Sequence, residues 1–241
     1  MTRPGVRALV VGVGGLGCPA AMALARAGVE VLGLCDDDVV ERANLHRQIL
    51  FDDDDVGSPK VEVAERALKR RAPNLEVKLH AHRLLPENAI ELVGQYDVVL
   101  EGSDNFATKF LAADACALAG IPVVHASAVR WIGTVMAVGT AGRPCYRCLF
   151  EDVPVGDAPN CAAAGVMGPV VGMVAAIQVD LALALVAGEP VAGEVVTIDG
   201  RVDEVRRRSL RARAGCCLCG GQSSRIRQIN PDAYASPAYT G

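Results

Sequence analysis

The stretch VVGVGGLGCPAAMALARAGVEVLGLCDDD, Val10–Asp38, decides the fold. It opens on the end of a short apolar run from Val6 and passes at once into Gly12, Gly14, Gly15 and Gly17. Ala20–Ala27 is alanine-rich and carries Leu24, the composition of a good helix. Gly28 stops it, and Val29–Leu34 is a second apolar run that leads to Asp36. Strand, glycine turn, helix, strand and acid make a βαβ unit whose turn brings a helix N-terminus against a ligand phosphate. A side chain in the turn would hold the phosphate off, and the first N–H groups of a helix have no partner within it. Pro19 suits the first helical turn, where no N–H is needed. Asp36 lies 21 residues after Gly15, the usual place of a carboxylate that holds ribose hydroxyls. Alone, the motif signals a nucleotide, most often a dinucleotide, and leaves the choice to residues downstream.

Composition narrows the class. With 241 residues, 51% hydrophobic and 22% charged, the chain can bury a full α/β core and is not of disordered type. A net charge of −4 gives no reason to expect a nucleic-acid partner. Arg3-Pro4-Gly5 leads straight into the first strand with no apolar leader, so the expected location is cytoplasmic. Cys161–Val179 carries no charge and is long enough to raise the question of a membrane. Its glycines, Pro169, Gln178 and the following Asp180 favour a helix buried in a core or an interface, and no membrane is expected. Nine cysteines without an export signal point to metal and reactive thiols, not a disulfide frame.

Downstream, Val39–Gln48 is polar and gathers Asn44, Arg47 and Gln48. The acids Asp52–Asp55 read as a solvated loop before Gly57-Ser58-Pro59-Lys60. Val61–Arg71 has helical spacing through Val61, Ala64 and Leu68; Glu76–His80 alternates as a strand; Pro86–Val93 is a short helix. Tyr96–Leu100 is a buried strand, followed by Glu101-Gly102-Ser103-Asp104-Asn105 at the C-terminal edge, where open parallel sheets bind ligands. Phe106–Ala119 is a helix ended by Gly120, and Ile121–Ala126 the next strand. Then come a strand over Val129–Gly139 with a kink at Gly133, a mobile crossover over Glu151–Asn160, and an apolar helix over Val166–Ala187. Two strands, Glu194–Ile198 and Arg201–Arg208, are joined by Asp199-Gly200, a two-residue hairpin signal. The pattern predicts an α/β fold: a Rossmann-like, mostly parallel sheet extended by antiparallel strands. One domain over residues 1–221 is expected, with 222–241 as a loose tail. Cys18, Cys35, Cys116, His125 and Trp131 read as packing residues, and Arg201–Arg213 as a solvated basic face or a surface for an acidic partner.

Cys145-x-x-Cys148 and Cys216-x-x-Cys219 form a four-thiolate set that suits tetrahedral Zn²⁺, and a filled thiolate shell is structural. Cys217 lies beside this set, and the spacing selects Cys216 and Cys219.

Taken in order, GVGGLG, Asp36 and Asp38, NLHRQ, GSPK, GSDN, CYRC, NCAAAGVMGP and CCLCGG make the chain resemble the ThiF/MoeB/HesA family, bacterial relatives of ubiquitin-activating enzymes. The resemblance runs from about Arg7 to Gly221. It implies ATP-dependent adenylation of the C-terminal glycine of a ubiquitin-fold carrier of ThiS or MoaD type, ending in Gly-Gly. Joining a carboxylate to the α-phosphate makes two anions meet, so cations and a metal ion must screen them. The resemblance makes Arg47 and Lys60 the phosphate cations, and the hard-cation preference for carboxylate makes Asp104 the Mg²⁺ ligand. The other reading of Asp104 is an N-cap for the following helix. Gly12, Gly14 and Gly15, with Asp36, Asn44, Gln48 and Asn105, complete the nucleotide set, while Asp38 is either part of it or structural. Cys161 matches a crossover cysteine that in some relatives accepts the activated carrier. Arg130 is placed along the channel for the carrier tail. A homodimer is implied too. The family's N-terminal arm, with its arginine for the partner's ATP site, has no match before Val6. No rhodanese domain follows, so a separate sulfur donor is expected. Other readings stay open at this point: an NAD-dependent oxidoreductase on the same glycine turn, adenylation of a peptide, and a non-catalytic carrier-binding scaffold.

Overall fold

The run ahead of the glycines forms β1 (Arg7–Val11) of an eight-stranded sheet in the computed structural model, which describes residues 5–153 and 165–234. Helix α1 (Gly17–Ala27) follows the turn and ends at Gly28, whose φ of 84° is the left-handed conformation that a glycine C-cap supplies. The chain continues through β2 (Val31–Cys35), α2 (Lys60–Lys69), β3 (Glu76–His80), α3 (Ala89–Val93), β4 (Val98–Glu101), α4 (Phe106–Ala119) and β5 (Val123–Val129). Strand β6 (Ile132–Val138), α5 (Tyr146–Leu149), α6 (Gly168–Val186), β7 (Glu194–Asp199) and β8 (Glu204–Ser209) complete the order.

The spatial order is β3-β2-β1-β4-β5-β6-β7-β8, with β3 to β5 parallel and β6 to β8 added antiparallel. This is the expected mostly parallel sheet with its antiparallel extension. After β1 the chain turns one way to β2, and after β3 it returns to the other side of β1 as β4. The strand ends therefore part between β1 and β4, which makes this the crevice where such sheets take ligands. One apolar core lies under α1, α2 and α6; the other packs α3, α4 and α5 on the opposite face.

Local chemistry explains the elements that hold the crevice. Gly12 has a φ of 86°, and a Cβ on Gly17 would stand 1.9 Å from the Gly12 carbonyl oxygen. No side chain fits where the helix start packs on the turn. Gly17→Ala is expected to destabilise the domain by roughly 1–3 kcal/mol, read as a lower urea midpoint. Helix α4 starts where Asn105 Oδ1 accepts from the Thr108 N–H at 2.8 Å, and it ends at Gly120, φ 69°. Helix α6 is long and apolar enough to cross a membrane by composition, yet one of its faces is core. Val170, Val171, Val174, Val179 and Leu181 are buried, and Gln178 donates to the carbonyls of Glu101 and Val124 at 2.9 and 2.8 Å. Those two bonds tie α6 to the ends of β4 and β5.

The structure corrects several details. Gly133 is no kink: it stays in register between Ala128 and Ile198, and a Cβ there would meet Val174 Cγ2 at 2.2 Å. It is small so that α6 can lie close. Asp199-Gly200 is not a two-residue hairpin; Asp199 pairs with Glu204 across the four residues 200–203, and Asp203 takes the left-handed conformation, φ 52°. Trp131 is 40% exposed and covers Gly200 instead of filling the core. The segment read as a tail is docked as far as it is described. Ile226 and Ile229 pack on the cores, and the buried Tyr234 hydroxyl donates to Asp114 at 2.6 Å. Residues 235–241 and the crossover residues 154–164 lie outside the described residues.

Candidate active site

A cavity of about 430 Å³ opens at the crevice between β1 and β4. Gly12, Gly14 and Gly15 line it from the turn, and Asp36 from the end of β2. Asn44, Arg47 and Gln48 reach it from the loop after β2, Lys60 from the first residue of α2, and Asp104 and Asn105 from the loop after β4. All ten nucleotide-site residues expected from the sequence thus meet at one cavity. Cys161 lies outside the described residues.

Their electrostatics are specific. The Asp36 carboxylate accepts from the Val13 N–H at 2.6 Å and the Asp38 N–H at 2.9 Å, which joins the glycine turn to the end of β2. Burial pushes its carboxyl above the ordinary value, while Lys60 pulls the other way. Lys60 is itself buried and its Nζ donates to Asp38 at 2.7 Å. Burial opposes its charge, but Asp36 and Asp38 carry its pKa above that of a free lysine. It is a fixed cation at neutral pH. Arg47 lies along the turn, its Cδ 3.2 Å from where a Gly15 Cβ would stand, and its Nη2 donates to Asn44 Oδ1 at 2.7 Å. No carboxylate pairs with Arg47 among the described residues. Gln48 is 3% exposed, and its Oε1 accepts no hydrogen bond among the described residues. A guanidinium without a counter-ion and a buried acceptor without a donor suit a polar anionic ligand.

Asp104 and Asn105 divide their duties. The cap of α4 is Asn105, so Asp104 is not the N-cap. Its exposed carboxylate lines the cavity and meets no donor among the described residues. A carboxylate so placed fits a hard divalent cation.

Sequence reasoning missed the charge cluster beneath this loop. Glu101 is fully buried at the end of β4. Its Oε1 accepts from the N–H of Ser103 at 2.7 Å and from the Ser103 hydroxyl, and its Oε2 from Lys109 Nζ at 2.9 Å and His125 Nδ1 at 3.2 Å. Burial alone would raise its pKa; Lys109, then His125 and Ser103, hold it down at about 2, against an ordinary 4.5. Because the folded value is depressed, this stabilisation is fully present above about pH 4.5 and is lost as the pH falls through about 2. The urea midpoint is expected to fall between pH 5 and pH 3, and to fall less in Glu101→Gln. The available signal was an acid closing an otherwise apolar strand. His125, read as packing, is buried and stacks on Tyr146 at 4.5 Å, but it also serves this cluster. A second buried set joins Arg147 to both oxygens of Asp114 at 2.9 Å. Asp114→Ala leaves that buried guanidinium with the exposed Asp152 carboxylate, 3.0 Å away, as its remaining counter-ion among the described residues, and is expected to cost about 3 kcal/mol by denaturant titration.

The four expected metal cysteines come together as well. Cys145, Cys148, Cys216 and Cys219 have sulfurs that all lie within 4.8 Å of one another. Three pairs stand at 3.9, 3.5 and 3.4 Å. The edges of a tetrahedron with metal–sulfur bonds near 2.3 Å are about 3.8 Å, so the set fits tetrahedral thiolate ligation. The Arg213 N–H points at Cys148 Sγ, 3.4 Å away, as thiolate ligands often require. Cys217 is outside the cluster. Cys18 and Cys35, by contrast, are core thiols that burial pushes up to about 12, which leaves them unreactive.

Fold and site together define a Rossmann-like nucleotide-binding domain. The ThiF family profile matches residues 5–219, and the chain belongs to that family. Among named relatives, the adenylyltransferase and sulfurtransferase MOCS3 of Drosophila grimshawi is 44% identical over 232 residues, covering 94% of this chain and 51% of that protein. The mouse (Mus musculus) MOCS3 is 41% identical over 236 residues, covering 96% and 51%. The chain therefore spans about half the length of the curated relatives it matches. Among solved structures, E. coli MccB with MccA-N7isoASN superposes with a TM-score of 0.79 at 23% identity, covering 89% of this chain and 67% of that one. MccB with ATP gives 0.77 at 23%, covering 89% and 67%. At that identity the likeness is one of fold.

Proposed function

We propose that this domain is an ATP-dependent adenylyltransferase that activates the C-terminal glycine carboxylate of a ubiquitin-fold carrier. The observation that carries the reading is the pairing of two fixed cations, Arg47 and Lys60, with a ribose-type acid and an uncommitted carboxylate around one glycine turn. A hydride-transfer site has no need of such a cation set, which argues against the oxidoreductase. The names of the MOCS3 relatives support adenylation, and the ThiF family membership supports a carrier as substrate.

In this reading the turn N–H groups cradle the phosphates and Asp36 holds the ribose. Arg47 and Lys60 neutralise the triphosphate so that a carboxylate oxygen can approach the α-phosphorus. A new O–P bond forms there, the bond to the β-phosphate bridge breaks, and pyrophosphate leaves with that electron pair. Asp104 would hold Mg²⁺, which screens the phosphates when bound. The four-cysteine cluster would hold Zn²⁺ in a closed structural site. Cys161 is assigned the later acceptance of the acyl group, its thiolate bonding to the acyl carbon as the acyl–phosphate bond breaks and AMP leaves. A cytoplasmic homodimer belongs to the same reading.

Exchange of labelled pyrophosphate into ATP tests it, with the full chain and a panel of small ubiquitin-fold proteins ending in Gly-Gly. The expected result is exchange that requires such a protein. Exchange supported only by a peptide carboxylate would redirect the substrate, and the absence of any exchange would favour a scaffold.

A further inference from the structure

The loop after β4 is held from below by a charge cluster that the reaction itself does not use. Ser103 gives both its N–H and its hydroxyl to one oxygen of Glu101. The other oxygen is fixed by Lys109 of α4 and His125 of β5, and Lys109 also donates to the Ala126 carbonyl at 2.6 Å. The Glu101 carbonyl is bound in turn by Gln178 of α6. The carboxylate thus joins helix α4 and strand β5 to the backbone just before Asp104, and the carbonyl of the same residue adds α6. The same loop packs tightly on the glycine turn: a Gly12 Cβ would stand 3.2 Å from the Ser103 nitrogen, and a Gly102 Cβ 3.1 Å from Leu16 Cβ. Space for Ser103 to shift is small, and a shift would carry Asp104 with it.

We propose that Glu101, braced by Lys109 and His125, is a positioning residue that sets Asp104 for metal-assisted binding of the triphosphate; this rests on the ATP reading of the cavity. A buried ion pair is a poor source of stability by itself, because burying both charges costs about as much as their attraction returns. Here its geometry has a second consequence. It fixes the only carboxylate of the loop after β4 that faces the cavity and meets no donor among the described residues.

The test compares ATP affinity with and without Mg²⁺, by equilibrium titration of the full chain. Asp104→Asn serves as the reference, since it should abolish the gain that Mg²⁺ gives the wild type. Glu101→Gln combined with Lys109→Met removes both buried charges at nearly constant volume, and Ser103→Ala removes one bond from the loop side. The double variant is expected to keep its metal-free ATP affinity within about twofold. It should lose most of the Mg²⁺-dependent gain, as Asp104→Asn does, on the order of tenfold, the effect usual for a supporting residue of a metal site. Ser103→Ala should lose a smaller part, and it carries the test if the double variant does not fold. A folded variant that keeps the full Mg²⁺ effect while Asp104→Asn loses it would overturn this inference alone. A wild type that binds no ATP would instead overturn the reading of the cavity.

Discussion

Lys60→Met is expected to slow carrier-dependent ATP–pyrophosphate exchange by roughly 10²–10³-fold, the usual cost of removing one preorganised group from developing phosphate charge. The effect should be this large because Lys60 is a buried cation whose pKa Asp36 and Asp38 hold above the free value. Its charge faces the cavity without the screening that water gives a surface lysine. The fold should survive. Methionine matches the length of the lysine stem, and Asp38, the only residue to which Lys60 Nζ donates among the described residues, has a side chain 57% exposed and returns to water at little cost. Circular dichroism and the melting temperature separate a lost site from a lost fold. Near-normal exchange by a folded Lys60→Met protein would remove this lysine from the chemistry.

The second large effect concerns the four cysteines. Stripping metal, or replacing Cys145 and Cys216 together with alanine, is expected to lower the melting temperature by roughly 10 °C. The cluster joins α5 to the segment after β8, where Arg213 adds a hydrogen bond to the Arg147 carbonyl at 2.8 Å and an ion pair with Glu151. Its own apolar support is small: Leu218 with Ala117, Leu210, Ala212 and Ile226. Without metal, four sulfurs at 3.4–3.9 Å contacts are left with weak mutual hydrogen bonds. The effect should also reach the cavity loop, since Tyr146, next to Cys145, stacks on the His125 that braces Glu101. Metal analysis of protein purified without chelator should give about one zinc per chain, the stoichiometry of a filled four-thiolate site. A metal-free preparation with unchanged melting would contradict the zinc assignment.

Where the sequence could be read, the signals were local and covalent. Helix α4 was legible from Phe106 to Gly120, which ends it because it tolerates a positive φ, while the cap read as an option for Asp104 falls one residue on, at Asn105. Gly12 to Asp36 reads as a nucleotide turn because strand, glycines, helix and acid follow one another directly; Gly17 answers a steric demand five residues back at Gly12, whereas Gly12 and Gly15 leave room for Ser103 and Arg47, which the sequence alone does not place there. Even the residues of the cavity were legible, since they sit inside short motifs. The miss at Asp199-Gly200 has a local cause too: the dipeptide fits a tight hairpin, but the register with Glu204 puts the turn across 200–203. Long-range charge was invisible. Nothing in the helix pattern marks Lys109 as a buried partner of Glu101, or Asp114 as the partner of Arg147 and Tyr234. Such pairs form between elements that only the sheet order brings together. The docking of the C-terminal segment through Tyr234 belongs to the same class, because its partner lies 120 residues away.

The central claim is that the cations of this cavity exist to hold a triphosphate. The most direct measurement is the equilibrium affinity of the full chain for ATP, AMP and NAD⁺, repeated with Lys60→Met and Arg47→Ala. The expected result is that ATP binds more tightly than AMP and NAD⁺, and that both variants erase the advantage of ATP over AMP while leaving AMP binding nearly unchanged. Equal affinity for ATP and AMP in the wild type, or tighter binding of NAD⁺, would contradict it.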